Sequence, residues 1–261
     1  MSKILVLPDI HGRTFWKKPC ESIDKYDRVI FLGDYLDPYD FEKISREDAK
    51  HNFIEILKLK KEHGDKVVLL LGNHDLPYYS KKYKRLSHYH SRTAPSYMWD
   101  ELHSLYDNTE NIFTLAHTED DVLFTHAGVV DHWLIDAFYD KSQNLKTVED
   151  VRDIINGILK DENYSTLFMV GSFRGGMDRC GSCIWADVHE IFQRCDKEDS
   201  PLMSGIKQVF GHTMQAFYAP DGSGNILFGE PIETANFKML DTADAYILDT
   251  DTFKIQKICE D

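Results

Sequence analysis

An α/β fold is predicted for this chain by three short, continuously apolar runs and by a helical pattern lying between two of them. Residues 4–7, 29–32 and 67–71 have the composition of strands buried on both faces of a layered sheet. Between the second and third, residues 40–63 carry Phe53, Ile54, Ile56, Leu57 and Leu59 at roughly helical spacing among charged side chains, which predicts a crossover helix ending near Gly64. Further runs at 112–115, 122–125, 209–210, 226–228 and 245–248, then the alternating 253–258, predict a second sheet completed late in the chain. Helices are expected near 96–106, 130–138, 148–159 and 187–194, and the glycines and polar residues of 221–225 predict a turn.

With 261 residues and no Pro-, Gly- or Ser-rich linker, low-complexity tract or internal repeat, the chain reads as one large domain, residues 1–261, able to bury a sizeable core. A net charge of −14 argues against broad electrostatic binding to nucleic acid or to anionic membranes. No apolar segment reaches the length of a membrane span, and the start runs straight into Leu7-Pro-Asp-Ile-His-Gly12 without the apolar stretch of a signal peptide. A cytoplasmic location is the expectation. Five cysteines, an odd number with no disulfide framework, agree with a reducing compartment.

Five stretches end in side chains that bind metals: Leu7 to Gly12, Leu32-Gly-Asp-Tyr-Leu-Asp37, Leu71-Gly-Asn-His-Asp75, Phe124-Thr-His-Ala-Gly128 and Phe210-Gly-His-Thr213. Four directly follow an apolar run, so Asp, His and Asn are delivered to strand ends. Hard divalent cations take carboxylate, imidazole and amide oxygen ligands, and two of them close together share one carboxylate and activate a water between them, the chemistry of phosphate-ester cleavage. Asp9 and His11, two apart, project from the same side of an extended segment and can grip one ion together.

In this order, Asp-x-His, Gly-Asp-x-x-Asp, Gly-Asn-His-Asp, His-Ala-Gly and Gly-His, the motifs resemble the calcineurin-like metallophosphoesterases, over Asp9 to His212. The resemblance implies a four-layer α/β/β/α sandwich of two mixed sheets flanked by helices, with the site at the strand ends. It implies two divalent ions, Mn²⁺ foremost with Fe²⁺ or Zn²⁺ as alternatives, one held by Asp9, His11 and Asp34 and the other by Asp34, Asn73, His126 and His212. His74 then donates a proton to the leaving oxygen while Asp37 holds its imidazole. The same residues would each satisfy a plain role, such as Asp37 forming the turn before Pro38.

Many relatives end in Gly-His-x-His, but here the last position is Met214, and thioether is a poor ligand for a hard cation. The single-His ending resembles the phosphoprotein-phosphatase branch and its bacterial and phage members. Two arginines of that branch are absent, with Pro38 after the second motif and Asp75-Leu-Pro-Tyr78 after the third. Arg174, in the glycine-rich Ser172-Phe-Arg-Gly-Gly176, is the expected substitute for gripping phosphate. Its alternative is a solvated loop arginine. Cys180 and Cys183 have zinc-ligand spacing but no second pair, so free thiols are expected. The basic, tyrosine-rich stretch 81–92 reads either as a cleft wall or as a solvated helix face. The expected substrate is a phosphorylated small molecule, nucleotide or phosphoprotein, and the expected activity is that of a phosphomonoesterase. A phosphodiesterase or dinucleoside polyphosphate hydrolase is the alternative within the class, and a non-catalytic binding module is the alternative outside it.

Overall fold

Two sheets, each with three neighbouring parallel strands at its centre, organise the molecule. The computed structural model describes residues 2–80, 98–107, 112–142, 145–161, 164–194, 203 and 205–258. Stretch 81–92 and cysteines 195 and 259 lie outside the described residues. In chain order the strands are β1 (Lys3–Leu7), β2 (Arg28–Phe31), β3 (Val67–Leu70), β4 (Phe113–Thr114), β5 (Ala116–Glu119), β6 (Val122–Thr125), β7 (Lys207–Phe210), β8 (Ala216–Tyr218), β9 (Ile226–Phe228), β10 (Ile232–Glu233), β11 (Phe237–Met239), β12 (Tyr246–Asp249) and β13 (Lys254–Lys257). The helices are α1 (Lys17–Cys20), α2 (Arg46–His63), α3 (Leu76–Tyr79), α4 (Trp99–Asp107), α5 (Asp131–Ser142), α6 (Val148–Lys160) and α7 (Val188–Arg194). None of the helices in the described residues is long and apolar enough to cross a membrane.

The chain divides into two compact units, each discontinuous in sequence: Met1–Phe113 with Ala216–Phe228 and Ala243–Asp261, and Thr114–Gln215 with Gly229–Thr242. In the first, the sheet order is β13-β12-β1-β2-β3-β4. β1, β2 and β3 run parallel, with Leu5 opposite Val29 and Ile30 opposite Val68. Their side chains are almost wholly buried, as expected of strands covered on both faces. α2 makes the parallel crossover. Ser45 caps it by accepting the Asp48 amide, and Ala49, Asn52, Phe53 and Ile56 form its buried stripe at the i, i+3, i+4, i+7 spacing. It stops at Gly64, whose φ of 54° costs a glycine little. Phe53 stacks on Tyr35 at 4.8 Å, joining the helix to the loop after β2.

In the second unit the order is β10-β11-β7-β6-β5, with β6, β7 and β11 parallel. α6 carries a capping box between Thr147 and Asp150 and buries Val151, Ile155 and Ile158. Its Asn156 side chain accepts from the amides of Leu115 and Ala116, fixing the start of β5 against the helix.

The late strands differ from the sequence expectation. Segments 245–248 and 253–258 supply β12, antiparallel to β1, and β13, antiparallel to β12, which extend the first sheet, and 226–228 pairs with 216–218 in a separate hairpin. The second sheet is completed by β5, β10 and β11, whose polar interruptions (His117, Glu233, Lys238) concealed them. Strand pairing is a non-local choice that apolar pattern alone does not encode.

Gly33 adopts φ 106°, and a Cβ there would stand 2.5 Å from the Gly72 amide nitrogen. Gly33→Ala should therefore lower the unfolding free energy by more than ~1 kcal/mol, measured by urea denaturation of the metal-free protein. An unchanged midpoint would show that the loops after β2 and β3 are not in forced contact.

Candidate metal centre

In the first unit, the sequence-selected residues sit just beyond the carboxyl ends of three adjacent parallel strands: Asp9 and His11 after β1, Asp34 and Asp37 after β2, Asn73 and His74 after β3. Asp9, His11, Asp34, Asp37 and Asn73 are buried. The ladder continues past the strands, because the amides of Ile10, His11 and Gly12 donate to the carbonyls of Gly33, Asp34 and Tyr35. His11, Asp34 and Asp37 have φ of 43°, 55° and 58°. Left-handed backbone is uncommon outside glycine, and it turns each side chain out of the strand direction.

His11 Nδ1 lies 3.0 Å from the Leu36 carbonyl oxygen, which can only accept. A proton on Nδ1 satisfies that contact and leaves Nε2 as the nitrogen directed at Asp34, the one that would meet a cation. That Nε2 is 3.4 Å from Asp34 Oδ2, a separation two ligands of one ion can have. The other oxygen of Asp34 accepts the His74 amide at 2.9 Å. A Cβ on Gly72 would lie 2.1 Å from this oxygen, so glycine alone leaves the carboxylate its place. His74 Nδ1 is 2.9 Å from Asp37 Oδ2, and Asp37 Oδ1 accepts the Tyr78 hydroxyl at 3.0 Å. The imidazole of His74 stands edge-on to that of His11, with centroids 5.3 Å apart.

Asp75, quoted in the third motif but given no role from sequence, organises this set. It is fully buried. One carboxylate oxygen accepts the amides of Asp34 and Gly72, both at 2.7 Å, and the other accepts the Tyr35 amide at 3.1 Å and the Tyr106 hydroxyl at 2.7 Å. Burial, and then the nearby charge of Asp34, raises its carboxyl pKa, while the bonds from Gly72, Tyr106 and Tyr35 oppose that rise. So many buried carboxylates around one loop cluster call for cationic compensation, and the oxygen- and imidazole-rich donor set fits hard divalent ions.

Arg13 was also missed. It is buried, donates to both Glu42 oxygens at 2.6 and 3.2 Å, and donates through Nη1 to the Asp9 carbonyl at 2.9 Å. Asn52 on α2 donates to the Arg13 carbonyl and accepts from Trp16, so the helix holds the Asp9 loop from behind.

In the second unit, His126 follows β6 and His212 follows β7. His126 Nε2 and His212 Nδ1 face each other at 3.2 Å, a distance that suits two imidazoles sharing one cation. His212 has φ 66°, and the Gly211 amide donates to the His126 carbonyl at 2.7 Å. Arg174 ends a 3₁₀ turn at Ser172–Arg174 and is no solvated loop residue. Its Nη2 donates to the His212 carbonyl at 3.1 Å and to Thr213 Oγ1 at 2.8 Å, and its Nε lies 2.8 Å from Asp187 Oδ2. The Trp185 ring stands edge-on to His212, with centroids 5.7 Å apart. Asp241, two residues past β11, is buried, and its carbonyl accepts the Gln215 amide at 2.9 Å. Met214 is half-buried.

Cys20, Cys180 and Cys183 are buried. Burial pushes the Cys183 thiol up, away from the thiolate a zinc site needs, and the Cys183 carbonyl instead accepts the Ala127 amide at 2.9 Å, bracing the His126 loop.

A family model for calcineurin-like phosphoesterases matches residues 2–215, so the chain belongs to that family. It is accordingly a metallophosphoesterase, a hydrolase. Among solved structures it is similar to a cold-active protein-tyrosine phosphatase of the psychrophile Shewanella sp., at 13% identity and TM-score 0.54, covering 99% of this chain and 81% of that one. A point mutant of a cold-active protein tyrosine phosphatase gives 13% identity and TM-score 0.50 over 99% and 81% of the two chains. A metallophosphoesterase from Sphaerobacter thermophilus gives 10% identity and TM-score 0.42 over 98% and 88%. At these identities the likeness is one of fold. No curated protein sequence matches.

Replacing Asp75 by Asn puts an amide donor against backbone N–H groups or the Tyr106 hydroxyl. This should cost roughly 2–4 kcal/mol, whereas Tyr106→Phe, which removes one bond, should cost about 1 kcal/mol. Chemical denaturation of the metal-free variants checks both, and an Asp75→Asn protein as stable as the parent would remove Asp75 from its organising position.

Proposed function

We propose that the chain is a phosphomonoesterase of the protein-phosphatase-like type, working with two divalent ions, of which Mn²⁺ is the first candidate. The family's motif order assigns Asp9, His11 and Asp34 to one ion and Asp34, Asn73, His126 and His212 to the other. Ions held there would supply Lewis acidity, both to the phosphoryl oxygens and to the attacking water. The observation that carries this reading is the His74–Asp37 pair, placed beside His11 at the ends of the parallel strands.

In this reading His74 hands its Nε2 proton to the leaving oxygen. Asp37, itself steadied by Tyr78, favours the imidazolium and holds the ring's orientation. The His74 side chain is 11% exposed against 1% for Asp37, so the donor can be reached while its partner stays out of water. Arg174, tied to Thr213 and Asp187, offers a pre-positioned guanidinium to the phosphoryl oxygens. A hydroxyl-bearing product and inorganic phosphate leave.

Asp34→Asn should lose both ions together, since Asp34 is the shared ligand, and elemental analysis of dialysed protein reads this out. Retention of two ions at full occupancy would refute the bridging assignment. Hydrolysis of an aryl phosphate should require added Mn²⁺ or a similar ion and should stop on chelation. His74→Asn should keep its metal content yet lose far more turnover on esters with poor leaving groups than on activated ones; an equal loss on both would assign His74 to binding instead. Arg174→Ala should slow the reaction by roughly tenfold to a hundredfold, whereas Arg179→Ala should leave kcat/KM nearly unchanged.

A further inference from the structure

A row of aromatic rings leads outward from His11 within the first unit. The Tyr39 ring meets His11 edge-on with centroids 5.0 Å apart, and Phe41 stacks on Tyr39 at 5.3 Å with planes 29° apart. Phe228, from β9, closes the row at 6.3 Å from Phe41. Below the rings lies the Arg13 guanidinium, 4.9 Å from the Phe228 centroid and 5.6 Å from that of Tyr39. Its charge is met by Glu42.

Phe41 is the outermost member and is 36% exposed. It sits in the 3₁₀ turn Asp40–Glu42, whose next residue, Glu42, is the bidentate partner of Arg13. Arg13 in turn binds the Asp9 carbonyl. The turn is therefore pinned to the candidate metal loop, and Lys43, at φ 57°, ends it sharply. Tyr39 and Phe228 flank the guanidinium, and Phe41, stacked on Tyr39, keeps part of its ring in water at a fixed place. A partly exposed ring, held by a pinned turn beside the candidate metal loop, offers a surface on which a flat apolar group can stack.

We propose that Phe41, backed by Tyr39 and Phe228, is a stacking ledge for the leaving group, making phosphate esters of planar aromatic alcohols the preferred substrates. The inference rests on the phosphoesterase reading above. In the reaction water adds to phosphorus, the bond from phosphorus to the aryl oxygen breaks, and that oxygen takes the His74 proton, giving a phenol and inorganic phosphate.

Phenyl phosphate and cyclohexyl phosphate carry six-carbon rings of similar size, one planar with a π face and one not. The metal-loaded parent, Phe41→Ala and Phe41→Leu enzymes are compared by kcat/KM on both esters. The difference in leaving-group reactivity cancels when each variant's phenyl-to-cyclohexyl ratio is divided by the parent's. That quotient should fall about three- to tenfold in Phe41→Ala. It should fall similarly in Phe41→Leu, which keeps an apolar cover without the ring, and this variant decides the matter if the alanine protein fails to fold. A ratio unchanged in the folded variants, or an equal loss on both esters, would overturn the ledge and leave Phe41 as packing. No hydrolysis of either ester by the metal-loaded parent would instead overturn the phosphoesterase reading beneath it.

Discussion

The carboxylate of Asp75 is the contact on which the first unit's metal loops depend. Two oxygens, wholly removed from water, take three backbone amides and a tyrosine hydroxyl, drawing the turn after β2 onto the turn after β3. A buried charge is tolerable only when its lone pairs are satisfied in this way. The bond to the Asp34 amide also fixes the residue whose left-handed backbone turns its side chain toward His11 and the His74 amide. Gly33 and Gly72 leave room for this close approach, and Phe53 and Tyr106 pack against each other behind it at 5.0 Å.

Placement by rigid neighbours recurs at each functional side chain. His11 is oriented by a carbonyl, Asp37 by Tyr78, Asp9's loop by Arg13, and the His126 loop by the carbonyl of Cys183. Four of the non-glycine residues with positive φ are site candidates: His11, Asp34, Asp37 and His212. Such conformations cost of order 1–3 kcal/mol each and persist only where surrounding contacts over-determine them. That they gather where ligands are expected, at the ends of parallel strands in each unit, gives a physical reason why these loops are braced from several sides.

Arg174 is held in place by an ion pair with Asp187 and by hydrogen bonds. The guanidinium is steered by Thr213 and the His212 carbonyl, while Asp187 also holds His189 at 2.6 Å from its Oδ1. In the third motif and just after it, Asp75 and Tyr78 make buried hydrogen bonds, Asp75 accepting from Tyr106 and Tyr78 donating to Asp37.

The candidate site residues stood out in the sequence because metal ligation restricts side-chain type sharply and most of these candidates follow a strand whose burial shows as an unbroken apolar run. Ile4 to Leu7, Val29 to Leu32 and Val67 to Leu71 announced the central parallel strands, and Gly64 marked the end of α2. Sequence did not reveal that Tyr246–Asp249 and Lys254–Lys257 join the first sheet, because pairing partners are chosen across the chain by packing. Nor did it reveal Asp75, Arg13 or Tyr78 as supports. A charged or phenolic side chain looks alike whether solvated or buried, and only the fold brings its partners, at separations of 29 to 41 residues, within hydrogen-bonding distance.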